Sequence, residues 1–209
     1  EGEVEIPEFL MNEREVHVTL AAGENLGALR GTAVHRIMEC LDFKKLLAID
    51  MTSRKEVWEF LDLEIARMLE KKLLTEEMER LIYRNSIIDF LMTPIALRMA
   101  QADARGDLYK EKPFVMDYEG VLLQGIIDVF WLEGGKIVLM DYKTDRVKAA
   151  EELIARYATQ LELYAEALCK VFSTKDRQIE KTDNLIYSFA LNDTISVNIL
   201  HDAKKTNII

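Results

Sequence analysis

Apolar positions along this chain change their period once, and the change divides it into two kinds of structure. From Gly27 to about Phe43, Val34, Ile37, Met38 and Leu41 fall on one helical stripe, and Thr32, just after Gly31, is read as the N-cap. Residues 54–74 repeat the pattern with Val57, Phe60, Leu61, Ile65, Met68 and Leu69, and charged residues cover the opposite face. Thr75 is placed to cap a next helix running to about Met92, and Pro94 ends it and opens a further turn through Met99. The period then falls to two. "YKEKPFVMDY" (109–118), "VLLQGIIDVFWL" (121–132) and "KIVLMDY" (136–142) read as consecutive strands, with turns at Glu119-Gly120 and Glu133-Gly134-Gly135. A long helix is predicted from about Ala149 to Phe172, followed by strands "NLIYSFAL" and "TISVNIL" meeting at Asn192-Asp193. The expected class is α/β: a central mixed sheet flanked by helices, a helical insertion over about 50–105, and a polar lead-in arm over 1–26.

Composition narrows what this fold can do. The 209 residues, 49% apolar and 31% charged, suit one large domain with a real core. No apolar run is long enough to span a membrane, and no basic-apolar signal segment opens the chain. The first residue is Glu1 rather than Met, so the chain reads as a piece of a longer protein. A net charge of -10 argues against a simple nucleic-acid-binding module, although an acidic domain can still act on DNA delivered by a partner. Cys40 and Cys169 are too few for a zinc or iron–sulfur cage and read as buried free thiols in a reducing cytoplasm.

The chemistry gathers in one hairpin. With Gly134-Gly135 as a two-residue turn, Glu133 faces Lys136, and counting back brings Asp128 opposite Asp141. Directly opposed residues share a face with Cβ atoms about 4.5–5.5 Å apart, and like charges there are destabilising unless compensated. A shared proton or a divalent cation supplies the compensation, and hard oxygen ligands suit magnesium or manganese. Lys143 follows on the face of Asp141, where it can stabilise developing negative charge or orient a metal-bound water. The bland alternative is a buried Asp–Lys pair with Asp128 at a strand end facing water.

Other residues add to this pattern. His35 and Glu39 are one turn apart on the first helix and can offer an imidazole and a carboxylate. Gln160 and Tyr164 are one turn apart on the long helix, where Leu153, Tyr157, Leu161 and Leu168 form a packing face. Core packing is the bland reading of Tyr164, and a surface amide that of Gln160.

The order "GTAVH", "GIID", "DYKTD", "QLELY" resembles the RecB-type nuclease family of the PD-(D/E)XK superfamily, whose fold is restriction-endonuclease-like. "RGTAVHRIMECLDF", "KEKPF" and "RYATQLELYAEAL" extend the likeness to its AddA-type branch, over roughly residues 27–200. The resemblance implies that His35, Asp128, Asp141 and the backbone carbonyl of Tyr142 hold Mg²⁺, for which Mn²⁺ can substitute. It implies that Lys143 is catalytic and that Gln160 and Tyr164 support it and contact DNA. Glu111 stands where the family strand precedes the hairpin, with its role left open. Further implications are an exonuclease fed single-stranded DNA by an upstream ATP-driven helicase during double-strand-break repair, an AddB-like partner, and a bacterial cytoplasmic setting. The rivals are a catalytically inactive member with a structural or DNA-guiding role, and another two-carboxylate magnesium hydrolase such as a phosphatase. The intact Asp128, Asp141 and Lys143 count against the first, and the missing phosphate-cradling glycine loop against the second.

Overall fold

The computed structural model describes residues 26–118, 120–173, 179 and 182–197, so the lead-in arm, apart from Leu26, lies outside the described residues. Helix α1 spans Leu26–Cys40. It begins well before Thr32, whose hydroxyl sits inside the helix and donates to the Ala28 carbonyl at 3.2 Å instead of capping. A 3₁₀ helix (Phe43–Ala48) leads to α2 (Arg54–Glu70), capped by Ser53. Thr75 caps the next helix as expected, its side chain accepting from the Met78 N–H, but the segment is divided. Helix α3 (Glu76–Leu81) stops where Ile82 turns extended, and α4 (Arg84–Leu91) restarts. The reason is burial: α3 buries none of its residues, whereas Ile87, Ile88, Phe90 and Leu91 of α4 enter the core. Pro94 opens α5 (Pro94–Arg105) behind a Thr93 cap, and Gly106 closes it at φ 79°.

The strands are β1 (Leu108–Tyr118), β2 (Val121–Glu133), β3 (Lys136–Lys143), β4 (Thr182–Ser188) and β5 (Asp193–Ser196), with α6 (Ala150–Phe172) between β3 and β4. They form one sheet in the order β1-β2-β3-β4-β5. Only β3 and β4 are parallel, because α6 supplies the long crossover a parallel pair requires; the sheet is therefore mixed. The last hairpin closes on Ser188 and Asp193 around residues 189–192, a longer loop than a tight Asn192-Asp193 turn. Asn192 takes the left-handed position at φ 54°, and its side chain accepts from the Tyr187 hydroxyl at 2.7 Å.

Phe130, Ile137 and Leu139 on one sheet face pack with Leu153, Leu161 and Leu168 of α6. Val129, Trp131, Val138, Met140 and Tyr142 on the other face share a core with α1, α2, α4 and α5. The β2–β3 register is fixed at the turn. Glu133 pairs with Lys136 across Gly134-Gly135, and the fully buried Trp131 donates from Nε1 to Glu133 at 2.9 Å while Arg98 lies over its ring. A slip of one residue would turn Trp131 out of the core.

The ladder from this turn runs to Val129↔Met140. On the other side of β2, Lys110 pairs with Val129 and Lys112 with Ile127, while Glu111 and Asp128 between them make no regular pair. Glu111 has φ 45°. Side-chain alternation inverts here in both strands. Tyr109 and Phe130 stack on the α6 side, and beyond the irregularity Phe114, Met116, Leu123 and Ile127 take that side. The rest of β1 and β2 becomes a two-stranded arm lying on α6. Its opposite face, carrying Val115, Leu122 and Ile126, is exposed at 63%, 71% and 44%.

Candidate active site and metal centre

The point where alternation inverts, β2 leaves β3 and α1 meets the end of β3 is also where four polar side chains are buried. His35, Asp128, Asp141 and Lys143 are each less than a tenth exposed. Side chains of this kind rarely reach such depth without partners. Helix α1 comes close because Gly31 has no side chain, for a Cβ there would meet Thr144 Oγ1 at 3.0 Å.

His35 Nε2 lies 3.1 Å from the Tyr142 carbonyl oxygen. A carbonyl only accepts, so this nitrogen carries the proton and Nδ1 is the atom turned to the acids. Nδ1 stands 3.3 Å from Asp128 Oδ1 and 3.6 Å from Glu111 Oε1. Asp128 uses its other oxygen to accept the Tyr142 N–H at 2.8 Å. That contact takes the place of the next ladder bond and fixes the carboxylate. The ligand atoms of His35, Glu111 and Asp128 all lie within 4.8 Å of one another, a grouping that can hold a metal ion. Two carboxylate oxygens and an imidazole nitrogen fit a hard or borderline divalent cation such as Mg²⁺ or Mn²⁺.

Asp141 stands beside this trio with a different partner. Lys143 Nζ approaches its Oδ2 at 2.6 Å, and the same ammonium lies 3.9 Å from the centre of the Tyr157 ring. Burial and the neighbouring Asp128 charge push the Asp141 carboxyl up to about 6, against the pull of Lys143. Burial also opposes ionisation of Asp128, but the His35 and Lys143 charges and the Tyr142 N–H outweigh it and hold that carboxyl below its ordinary value. Desolvation acts against the Lys143 charge, yet Asp141 and Asp128 keep its ammonium above its ordinary value.

On α6, Gln160 donates from Nε2 to the Tyr164 hydroxyl at 2.8 Å. Gln160 Oε1 is buried and has no hydrogen-bond partner among the described residues. Tyr164 packs edge-on against Phe114, and burial pushes its hydroxyl up to about 12. Gly125 makes room for both rings. A Cβ there would meet Phe114 Cε1 at 2.8 Å and the Tyr164 hydroxyl at 3.3 Å.

The structure thus brings His35, Asp128 and Glu111 into one group and sets the Asp141–Lys143 pair next to it. The Tyr142 carbonyl is engaged by His35. Glu39 turns away from the site into an ion pair with Arg36 at 2.6 Å. The place of Glu111 was open to the same counting that paired Asp128. Tyr118 pairs with Val121, and counting back from that pair sets Glu111 opposite Asp128, where the ladder is interrupted. Tyr157, read as part of a packing face, packs against the α6-side core and also lies over the Lys143 ammonium.

Among known proteins, the family model described as the PD-(D/E)XK nuclease superfamily matches residues 11–203. The chain is similar to AddA, an ATP-dependent helicase/nuclease, of Syntrophomonas wolfei, 30% identical over 206 residues, which covers 92% of this chain and 15% of that protein. It is 35% identical to the same-named protein of Anoxybacillus flavithermus, over 78% of this chain and 13% of the relative. A third, from Clostridium perfringens, is 32% identical over 81% of this chain and 14% of the relative. The chain therefore spans about one seventh of the length of these curated relatives. With its mixed sheet, its two buried aspartates and the lysine two residues after the second, the chain belongs to the PD-(D/E)XK nuclease superfamily.

Proposed function

We propose that this chain is the nuclease domain of a longer helicase–nuclease and hydrolyses phosphodiester bonds of DNA with a divalent metal, Mg²⁺ or in its place Mn²⁺. The observation that carries the reading is the His35–Glu111–Asp128 group, with His35 and Asp128 buried and Glu111 partly so, beside the buried Asp141–Lys143 pair. His35, Asp128 and Asp141, with the Tyr142 carbonyl and Glu111, are the groups that would hold the metal. When bound, the metal supplies Lewis-acid activation of water and of the scissile phosphate. Lys143 offers a buried ammonium to the charge that develops on the phosphate oxygens. Gln160 on α6 presents a free amide oxygen and donates to Tyr164, whose hydroxyl feels the charges of Asp141, Asp128 and Lys143.

The relatives' size and name support an ATP-driven motor and a partner subunit, and the family resemblance suggests the rest of the reading. The domain takes single-stranded DNA from an ATP-driven motor in the same polypeptide, works as an exonuclease in double-strand-break repair, and pairs with an AddB-like protein in the bacterial cytoplasm. Among the described residues no helix is long and apolar enough to cross a membrane. A motor that grips the DNA also accounts for a cutting domain whose net charge is -10.

The test is cleavage of labelled single-stranded DNA by the full-length protein. Asp141→Ala and Lys143→Ala should each abolish Mg²⁺-dependent cleavage while ATP hydrolysis persists. Variants that cut like the parent would remove the site from this reaction and leave the reading of an inactive, DNA-guiding domain.

A further inference from the structure

We propose that Tyr157 is a positioning residue that holds the Lys143 ammonium in its working place through the face of its ring. The inference rests on the nuclease reading above and adds a residue to it. Lys143 Nζ lies 3.9 Å from the Tyr157 ring centre on one side and 2.6 Å from Asp141 Oδ2 on the other. Its side chain is only 9% exposed, so the attraction between cation and ring is little screened by water.

The two contacts differ in what they leave free. Asp141 pairs with the ammonium and neutralises it. A metal held in part by Asp141 would compete for the same carboxylate and loosen that pair. The ring is neutral, so it attracts the cation without discharging it and without competing for the metal. An ammonium held only by Asp141 would shift when that carboxylate turns to a metal. One that also rests on the ring keeps its position, with N–H groups left for a phosphate oxygen or a water.

The ring itself is held. Its hydroxyl donates to Asp145 Oδ1 at 3.0 Å, and Arg156 Nη1 stands 3.8 Å from the same oxygen. Donation to a carboxylate fixes the ring's rotation and enriches its π electrons, which strengthens its pull on a cation. This gives the second aspartate of "DYKTD" a task that the metal group leaves unassigned. Tyr157, Gln160 and Tyr164 follow at spacings of three and four, so one face of α6 carries all three residues.

The experiment uses full-length protein with position 157 occupied by Tyr, Phe, mono-, di- and trifluorophenylalanine, or Leu. Fluorine withdraws π density while nearly preserving ring volume. The expected result is a stepwise fall in log kcat with each fluorine and a loss on the order of thirtyfold for Tyr157→Leu, with KM for DNA and Mn²⁺ affinity unchanged. Tyr157→Phe and Asp145→Asn should each cost a few-fold, and their combination no more than either alone. The Lys143 ε-methylene NMR signals should lose their ring-current shift in Tyr157→Leu. Equal kcat across the aromatic series in an active enzyme overturns the positioning role alone. A parent without metal-dependent cleavage overturns the nuclease reading and this inference with it, and the ring-current signal then still tells whether the contact exists.

Discussion

Glu111 combines a cost to the fold with a service to the site, and a substitution separates the two. Its φ of 45° is a left-handed conformation in the middle of a strand, where a residue with a Cβ is disfavoured by about 1–2 kcal/mol relative to glycine. Glycine returns about 0.5–1 kcal/mol of that through its looser unfolded state. Glu111→Gly should therefore be more stable than Glu111→Ala by about 1 kcal/mol, or about 2–4 °C in Tm for a domain of this size. Both variants also relieve repulsion with Asp128 in the metal-free protein. Both lose a carboxylate that stands 3.6 Å from His35 Nδ1, so both should bind Mn²⁺ more weakly. Chelator-treated protein would be unfolded by heat and by urea, and Mn²⁺ binding followed by calorimetry. An alanine variant as stable as the glycine variant would mean that the left-handed backbone carries no cost. Unchanged Mn²⁺ affinity would remove Glu111 from the metal group.

Three further outcomes are expected. The Asp141 carboxyl, pushed up to about 6 by burial, contributes stability that is full below its ordinary 3.8 and lost as pH rises through about 6. The metal-free protein should lose up to about 3 kcal/mol from this group between about pH 4 and pH 7, and urea unfolding of Asp141→Asn should lack that part of the slope. Asp128, held low, responds only at more acid pH. Gly125→Ala should cost about 1–3 kcal/mol because its Cβ meets Phe114 at 2.8 Å, and adding Phe114→Leu should recover part of the loss in thermal unfolding. His35→Gln should weaken Mn²⁺ more than Mg²⁺ in calorimetric titrations, since an imidazole nitrogen suits manganese better than magnesium.

Much of this arrangement could be read from sequence because it depends on local rules. Gly134-Gly135 fixed the β2–β3 register, and the observed Glu133↔Lys136 pair and its successors follow that count to Val129↔Met140. Thr75 and Pro94 marked helix starts through the backbone groups they satisfy or lack. What escaped depends on distant partners. The division of α3 from α4 follows which residues find a core, and nothing local forbids one long helix there. Strand alternation assumes regular φ and ψ, so the inversion at Glu111 and Asp128 was hidden. Tyr157 carries the same apolar signal as Leu161; only the position of Lys143 in the fold shows that this packing ring also faces a cation.

The arm that begins at this inversion has a practical consequence. Among the described residues, β1 has no strand on its outer side, and Val115, Leu122 and Ile126 lie uncovered on the arm's bare face. An unpaired edge next to an aliphatic patch is a template for another chain. Produced by itself, this chain would therefore be prone to self-association and precipitation even though its net charge of -10 favours solubility. The face that makes the isolated domain awkward to handle begins two residues from Asp128, so aggregation of a preparation and loss of access to its reactive centre would advance together.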